Sequence, residues 1–253
     1  MIGFEVRGHV AVITLDRPQA RNAIDAAMTA DLAAALARLE DDDKLWAGVL
    51  AANGQVFCAG ADIKALARGE ADEMLTERGG FAGLCWLDRS KPLIAAVDGP
   101  AIGSGFEMVL ACDLVVASTA ATFALPEVQR ALIPPAGGLF RLAGLIPAKV
   151  ATELILTGDP LDVVRAHALG LVNRVVEPGQ ATTHAVALAE RVCANAPLAV
   201  KESLRVVLAM TRAADPSGWA ATEAAYRKNI ATNDFGEGLC AFTERREPSW
   251  SGT

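Results

Sequence analysis

The chain opens on two apolar stretches, FEV and VAVITL, that flank Arg7-Gly8-His9, and the second alternates apolar positions. That pattern predicts a hairpin over residues 2–15. DRPQARN then stops the strand at Pro18. From Asp25 the period lengthens: Met28, Leu32, Leu36 and Leu39 share one stripe, which predicts a helix with Asp25 as its N-cap. Asp41, Asp42 and Asp43 end that helix in solvent. WAGVLAA (46–52) predicts a short buried strand, Asn53-Gly54 a turn, and VFCAGADIKAL a helix entered around Asp62.

Residues 69–90 are expected to be helical but loosely patterned, interrupted by Gly69, Gly79, Gly80 and Gly83. Such a segment either sits over a site or forms a plain surface helix. PLIAAVDG (92–99) predicts a strand. It begins the stretch Ile94–Ser118, which reads strand, glycine-rich turn, short helix, strand, almost wholly apolar or small. Glu107 is the exception in that helix. Residues 122–142 predict a short strand, a turn, and a loop whose Gly137-Gly138 opens a helix. Helices at about 147–157 and 160–169 precede a strand at 171–176, and from about residue 180 the pattern is helix only. This is an α/β chain. The break at Asn195-Ala196-Pro197 divides it into a core over 1–195 and a helical region over 196–253.

Composition narrows the function. Hydrophobic residues make up 52% of the chain but aromatics only 5%, so alanine carries much of the apolar share and close helix packing follows. A net charge of -7 with no basic block argues against nucleic acid as a partner. Cys58, Cys85, Cys112, Cys193 and Cys240 are odd in number and form no CxxC pair, as in a reducing compartment, and read as small core residues. No apolar run reaches the roughly 18 residues of a membrane span. The first residues lead straight into a strand, and SGT at the end is not a peroxisomal address. A cytoplasmic protein with no membrane partner is expected.

Several chemistries are set aside. His9, His167 and His184 are scattered and no His/Cys cluster has ligand spacing, so no metal site is expected. Gly103-Ser104-Gly105 is neither GxSxG, because residue 102 is Ile, nor GxGxxG, because residue 108 is Met. What remains is two carboxylates and three glycine-containing turns. Glu107 sits in an all-apolar helix, where an unpaired charge is costly. Glu127 follows Pro126, which alone is ordinary helix-start chemistry. As a pair, they can divide acid and base work. The turns are Cys58–Asp62, Gly103–Gly105 and Pro134–Gly138, each leading into a helix. Two helix-start N–H groups aimed at one point make an oxyanion hole; equally, each glycine can simply close a tight turn.

The blocks VAVITLDRPQARNAI, FCAGADIKAL, KPLIAAVDGPAIGSGFEMVLACDLVVAS, FALPEVQRALIPPAGGLFRL, LTGDPLDVVRAHALGLVNRVV and EGLCAFTERREPSW cover nearly the whole chain. In order and spacing the sequence resembles the crotonase, or enoyl-CoA hydratase/isomerase, family. GGFAGL, FALPE and the closing block lean toward its carnitinyl-CoA dehydratase-like branch. The resemblance implies a spiral of ββα units followed by helices that pack between subunits, as homotrimers or dimers of trimers. It implies an acyl-CoA thioester as substrate, with no cofactor beyond the coenzyme A that the substrate carries.

By motif position, Glu107 and Glu127 are the catalytic pair, and the backbone N–H groups of Ala59 and Ser104 form the oxyanion hole. Ala59, Gly60, Ala61 and Asp62 belong to the substrate-binding block. Arg21, Phe242 and Arg245 fall at positions that reach the CoA nucleotide in relatives. The implied reaction is reversible syn addition of water across C2=C3 of a 2-enoyl-CoA. Double-bond isomerisation, thioester hydrolysis, carnitinyl-CoA dehydratase-like activity and non-catalytic acyl-CoA binding are the alternatives. Two positions depart from the common pattern: Ser104 stands where Gly is usual, and Pro135, which has no N–H, stands where many hydratases have Gly.

Overall fold

The computed structural model describes all 253 residues. The opening alternation forms β1 (Ile2–Arg7) and β2 (Val10–Leu15), paired antiparallel from Ile2 opposite Leu15 to Arg7 opposite Val10. α1 (Ala26–Asp41) follows. The Asp25 carboxylate accepts the Met28 N–H at 2.9 Å, and Met28, Leu32, Leu36 and Leu39 are all buried. In order come β3 (Ala47–Ala52), α2 (Ile63–Ala67), β4 (Leu75–Thr76), β5 (Gly80–Phe81), β6 (Leu93–Val97), β7 (Ala101–Ile102) and α3 (Ser104–Ala111). β8 (Leu114–Ser118) and β9 (Thr122–Ala124) lead into a 3-10 turn, Pro126–Arg130. Then follow α4 (Gly138–Leu145), α5 (Ala148–Thr157), β10 (Leu161–Asp162), α6 (Val163–Ala168) and β11 (Arg174–Val176). The chain ends in α7 (Ala181–Cys193), α8 (Pro197–Thr211), α9 (Asp215–Ile230) and α10 (Asn233–Glu244).

The main sheet runs β1-β2-β3-β6-β8-β11, parallel from β2 onward. Strands buried on both faces read as continuous apolar runs rather than as alternation, and the inner strands β3, β6 and β8 do so, while the edge strand β1 exposes Glu5, Val6 and Arg7. Val10 and Val12 of β2, Val49 of β3 and Val116 of β8 point to one face, where Ala181, Ala185 and Ala189 bring α7 close. Ala11, Ile13, Leu15, Leu50 and Ala95 point to the other, into the larger core with α1 and α3. A second, three-stranded sheet, β10-β9-β7, sits at the entry to α3.

The helix expected over 69–90 does not form. The segment is a short 3-10 turn, the β4–β5 pair and a series of turns. Its glycines set the geometry: Gly80 has φ +62°, and a Cβ there would meet the Trp86 ring at 2.5 Å. Residues 79–85 are all buried, an unbroken run that no helical period gives. The helix expected over 160–169 begins later, at Val163, because Leu161 and Asp162 pair with β9. The strand expected over 171–176 is confined to Arg174–Val176.

The C-terminus of α3 is clamped by arginines. Arg89 (side chain 1% exposed) pairs with Asp113 (7%) at 2.8 Å and donates from Nη2 to the Ala111 carbonyl. Arg212 donates to the same carbonyl at 3.0 Å. Cations at a helix C-terminus oppose its partial negative charge. These contacts anchor α3 at the end away from Gly103.

Candidate active site

A cavity of about 810 Å³ lies where the turns before α2 and α3, the 3-10 turn, the 69–90 segment and α9 meet. Ala59, Gly60, Ala61, Ser104 and Glu127 are in its wall. Glu107, with no exposed surface, lies behind it. Five of the sequence-derived residues are thus brought to one cavity with the sixth beneath them.

The backbone of the CAGAD turn can be accounted for amide by amide. Ala59 N–H donates to the Arg21 carbonyl at 3.0 Å, Gly60 N–H to Cys58 Sγ at 3.4 Å, and Asp62 N–H to the Ile24 carbonyl at 2.8 Å. Ile24 N–H in turn donates to the Gly60 carbonyl at 2.8 Å, a parallel bridge that turns the N–H of Ala61 away from Ile24. Ala61, not Ala59, therefore carries the free amide. The expectation for Ala59 is corrected: its N–H is spent on tethering the turn to Arg21.

Across the turn, Ser104 is the first residue of α3. The Gly103 carbonyl accepts from Phe106 and Glu107, and the Ser104 N–H has no intrahelical acceptor, as at any helix start. Gly60 is required between the two: it has φ +88°, and a Cβ there would meet the Ile102 carbonyl oxygen at 2.9 Å and Ser104 N at 3.1 Å.

The third glycine turn faces Glu107 itself. The Ala136 and Gly138 N–H groups both donate to Glu107 Oε1, each at 2.7 Å. Pro135 lacks an N–H, directly precedes the first donor, Ala136, and lines the cavity. Glu107 Oε2 has no hydrogen-bond partner. Burial raises its carboxyl above the ordinary range, against the opposing pull of the Gly138 amide, the nearby Ser104 hydroxyl, the Ala136 amide and the charge of Arg141. Glu127 is raised as well, by burial first and then by the charge of Glu107. Its Oε1 lies over Gly103, where a Cβ would stand 2.8 Å from it, and its Oε2 is unpartnered. The two carboxyls are raised together and titrate as a pair; two amides favour charge on Glu107, and no neighbouring residue's amide does so on Glu127.

The remaining expected residues lie elsewhere. The Asp62 carboxylate caps α2, accepting from Lys64 and Ala65, and pairs with Arg17 at 2.9 Å. Burial opposes its charge, but the Arg17, Ala65 and Lys64 hydrogen bonds outweigh it and hold its carboxyl low. It shapes the turn and does not reach the cavity. Arg21, exposed, serves the site through its carbonyl, in a left-handed conformation with φ +54°. Phe242 on α10 lies under Arg130, whose guanidinium carbon is 5.0 Å from the ring centroid, and Arg130 lines the cavity. Arg245 caps α10 in solvent at φ +56°.

Sequence reasoning missed Trp86, Trp219 and Tyr226 in the cavity wall, and Arg141 and Asp215 behind it. Pro134–Gly138 was legible as a donor turn, but not as one directed at a side chain. No three His, Cys, Asp or Glu side chains converge as a metal site needs. The Cys58 thiol is pushed up to about 12 by burial, so it is a packing and hydrogen-bonding residue. No helix is long and apolar enough to cross a membrane.

Comparison with known proteins gives the family. Residues 5–253 match the enoyl-CoA hydratase/isomerase family. The chain is 38% identical over 252 residues to the carnitinyl-CoA dehydratase of Proteus mirabilis, covering 97% of this chain and 96% of that protein. It is 39% identical over 249 residues to the mevalonyl-coenzyme A hydratase of Aspergillus fumigatus, covering 96% and 91%. Among solved structures, carnitinyl-CoA hydratase from Mycobacterium avium superposes with a TM-score of 0.93 at 43% identity, covering 100% of this chain and 98% of that one. Enoyl-CoA hydratase from Mycobacterium tuberculosis gives 0.80 at 43%, covering 100% and 99%. The chain therefore belongs to the enoyl-CoA hydratase/isomerase family, with the α/β crotonase fold of mixed sheets and C-terminal helices, and is an acyl-CoA hydratase/dehydratase of that family.

Proposed function

We propose that this protein catalyses reversible syn addition of water across C2=C3 of a 2-enoyl-CoA, or the corresponding dehydration of a 3-hydroxyacyl-CoA. The observation that carries this reading is the carboxyl pair: Glu107 fixed by two amides, Glu127 in the cavity wall, each with an unpartnered Oε2. A water held between those oxygens gives up a proton to Glu107 as its oxygen bonds to C3. The C2=C3 π pair moves toward the thioester carbonyl, and Glu127 delivers its proton to C2. Proton transfer from Glu107 to Glu127 resets the pair. The thioester oxygen, which gains charge in between, sits between the N–H groups of Ser104 and Ala61; one such donor is worth about 10²–10³ in rate.

Gly60 lets the carbonyl approach, and Arg21, Phe242 and Arg245 serve the coenzyme end. The helical region over 196–253 joins subunits into trimers or paired trimers, which the exposed Leu198, Val206, Val207 and Met210 of α8 favour. The 1–195 core carries the chemistry, and the compartment is the cytoplasm.

Loss of enoyl-thioester absorbance with crotonyl-CoA and longer enoyl-CoAs tests the reading. Tight acyl-CoA binding without turnover of any enoyl-CoA would refute it in favour of a non-catalytic binder.

A second reading concerns the acyl tail. Trp86, 47% exposed, and Tyr226 line the cavity together with Asp72, and aromatic faces beside a carboxylate suit a quaternary ammonium. Carnitinyl-CoA carries such a group. A preference for carnitinyl-CoA over a neutral branched analogue, lost in Trp86→Ala, supports it; equal kcat/KM for both refutes it.

A further inference from the structure

Arg141 takes no part in the reaction as written, yet it is buried, at 8% exposure, beside the turn that holds Glu107. Its Nη2 and Nε donate to Asp215 Oδ2 at 2.7 and 3.3 Å. Its guanidinium carbon lies 5.3 Å from the Trp219 ring centroid and 5.7 Å from that of Phe140. Nη1 has no acceptor and faces Gly137, where a Cβ would stand 3.4 Å from it and 3.0 Å from Trp219 Cη2.

Asp215 begins α9, and Trp219 lies one turn on. Gly218 packs on Phe140 so closely that no side chain fits there. Trp219 also lines the cavity and meets Trp86 edge-on, with centroids 5.3 Å apart. α9 is thus fastened to α4 directly after the residues whose amides grip Glu107.

We propose that Arg141 is a positioning residue for hydration: anchored by Asp215 and Trp219, it fixes the 136–138 turn against Glu107 and keeps a positive charge on that side of the carboxyl pair. This rests on Glu107 acting as the base, as proposed above. The charged and titratable groups facing the cluster are Glu107 on α3, Glu127 on the 3-10 turn, Cys85 before β6, Arg212 after α8 and Asp215 on α9. The charge of Arg141 favours ionised Glu107, and Asp215 offsets part of that charge. Removing either partner breaks the same ion pair, yet the two losses move Glu107 in opposite directions.

The test is the titration of Glu107, read by difference infrared spectroscopy of ¹³C-glutamate-labelled protein and by the pH profile of kcat/KM. Arg141→Gln is expected to move the Glu107 titration up by about one pH unit, and Asp215→Asn to move it down. Arg141→Lys, which keeps the charge and loses the fork, is expected to titrate near wild type with reduced kcat and little change in KM. Shifts in the same direction in Arg141→Gln and Asp215→Asn, or no shift with equally lowered melting temperatures, overturn the proposal and leave the pair as a brace of the fold. If Arg141→Gln does not fold, the downward shift in Asp215→Asn decides alone. The infrared arm needs no turnover, so an inactive wild type refutes the hydratase reading without touching this result.

Discussion

Gly138 donates its N–H to Glu107 Oε1 at 2.7 Å, and its Cα comes so near that a Cβ there would stand 3.0 Å from that same oxygen. One residue therefore both holds the carboxylate and sets how closely it is held. Gly138→Ala is expected to displace Glu107 while leaving α4 intact, since alanine is the better helix former by about 1 kcal/mol. Misplacing a reacting group by about 1 Å costs on the order of 10² in rate. Steady-state kinetics should give a kcat loss of that order, with a modest fall in melting temperature because the same Cβ would stand 3.0 Å from Cδ1 of the buried Leu125. A variant that keeps full activity contradicts the claim that this contact positions the base.

The oxyanion donors can be separated from the side chain that carries one of them. Ser104 is the first residue of α3, where proline is tolerated because that N–H lacks an intrahelical acceptor. Ser104→Pro is expected to fold and to lose about 10²–10³ in kcat. Ser104→Ala, which keeps the N–H and loses only the hydroxyl, should remain within about tenfold of wild type. Equal losses in the two variants would place the role in the hydroxyl instead.

Glu127 gives a pH signature in stability. Its folded-state carboxyl is raised above the unfolded value, so the folded state binds the extra proton between the two. Stability is therefore greatest below the unfolded value and falls as pH rises toward the folded one. Glu127→Gln removes that loss. Denaturant unfolding should show the variant gaining on wild type from pH 5 to pH 8, by on the order of 2 kcal/mol. A constant difference across that range contradicts the raised carboxyl.

The Arg89–Asp113 pair is a separate matter of stability. Asp113→Asn leaves the buried Arg89 with a neutral partner and loosens the clamp on α3, costing about 3–5 kcal/mol. A urea midpoint within error of wild type would contradict that role. Because α3 carries Glu107 at its other end, residual activity should fall with the fraction folded and not before.

The reach of the sequence differs from one part of the chain to another, for physical reasons. Asp25 and the Met28–Leu39 stripe gave α1 directly, because a cap and a 3.6-residue period are local properties. Glu107 was legible because a charge within an all-apolar helix has few uses, and Glu127 only as its partner, since alone it reads as ordinary helix-start chemistry. The 69–90 segment misled because its apolar residues fill gaps between other elements, so burial there follows no period. Ala59 misled because the motif gives the turn but not which of its amides is already bonded; the Arg21 carbonyl and the Ile24 bridge decide that. Arg141 and Asp215 were unreadable, since a contact across 74 positions leaves no local trace.

The central claim is that Glu107 and Glu127 act together on one water, and the most direct measurement follows enoyl-CoA hydration by wild type, Glu107→Gln and Glu127→Gln at matched acyl-CoA occupancy. Each variant is expected to lose about 10²–10⁴ in kcat while still binding acyl-CoA. Undiminished turnover in both variants would contradict the two-carboxylate mechanism.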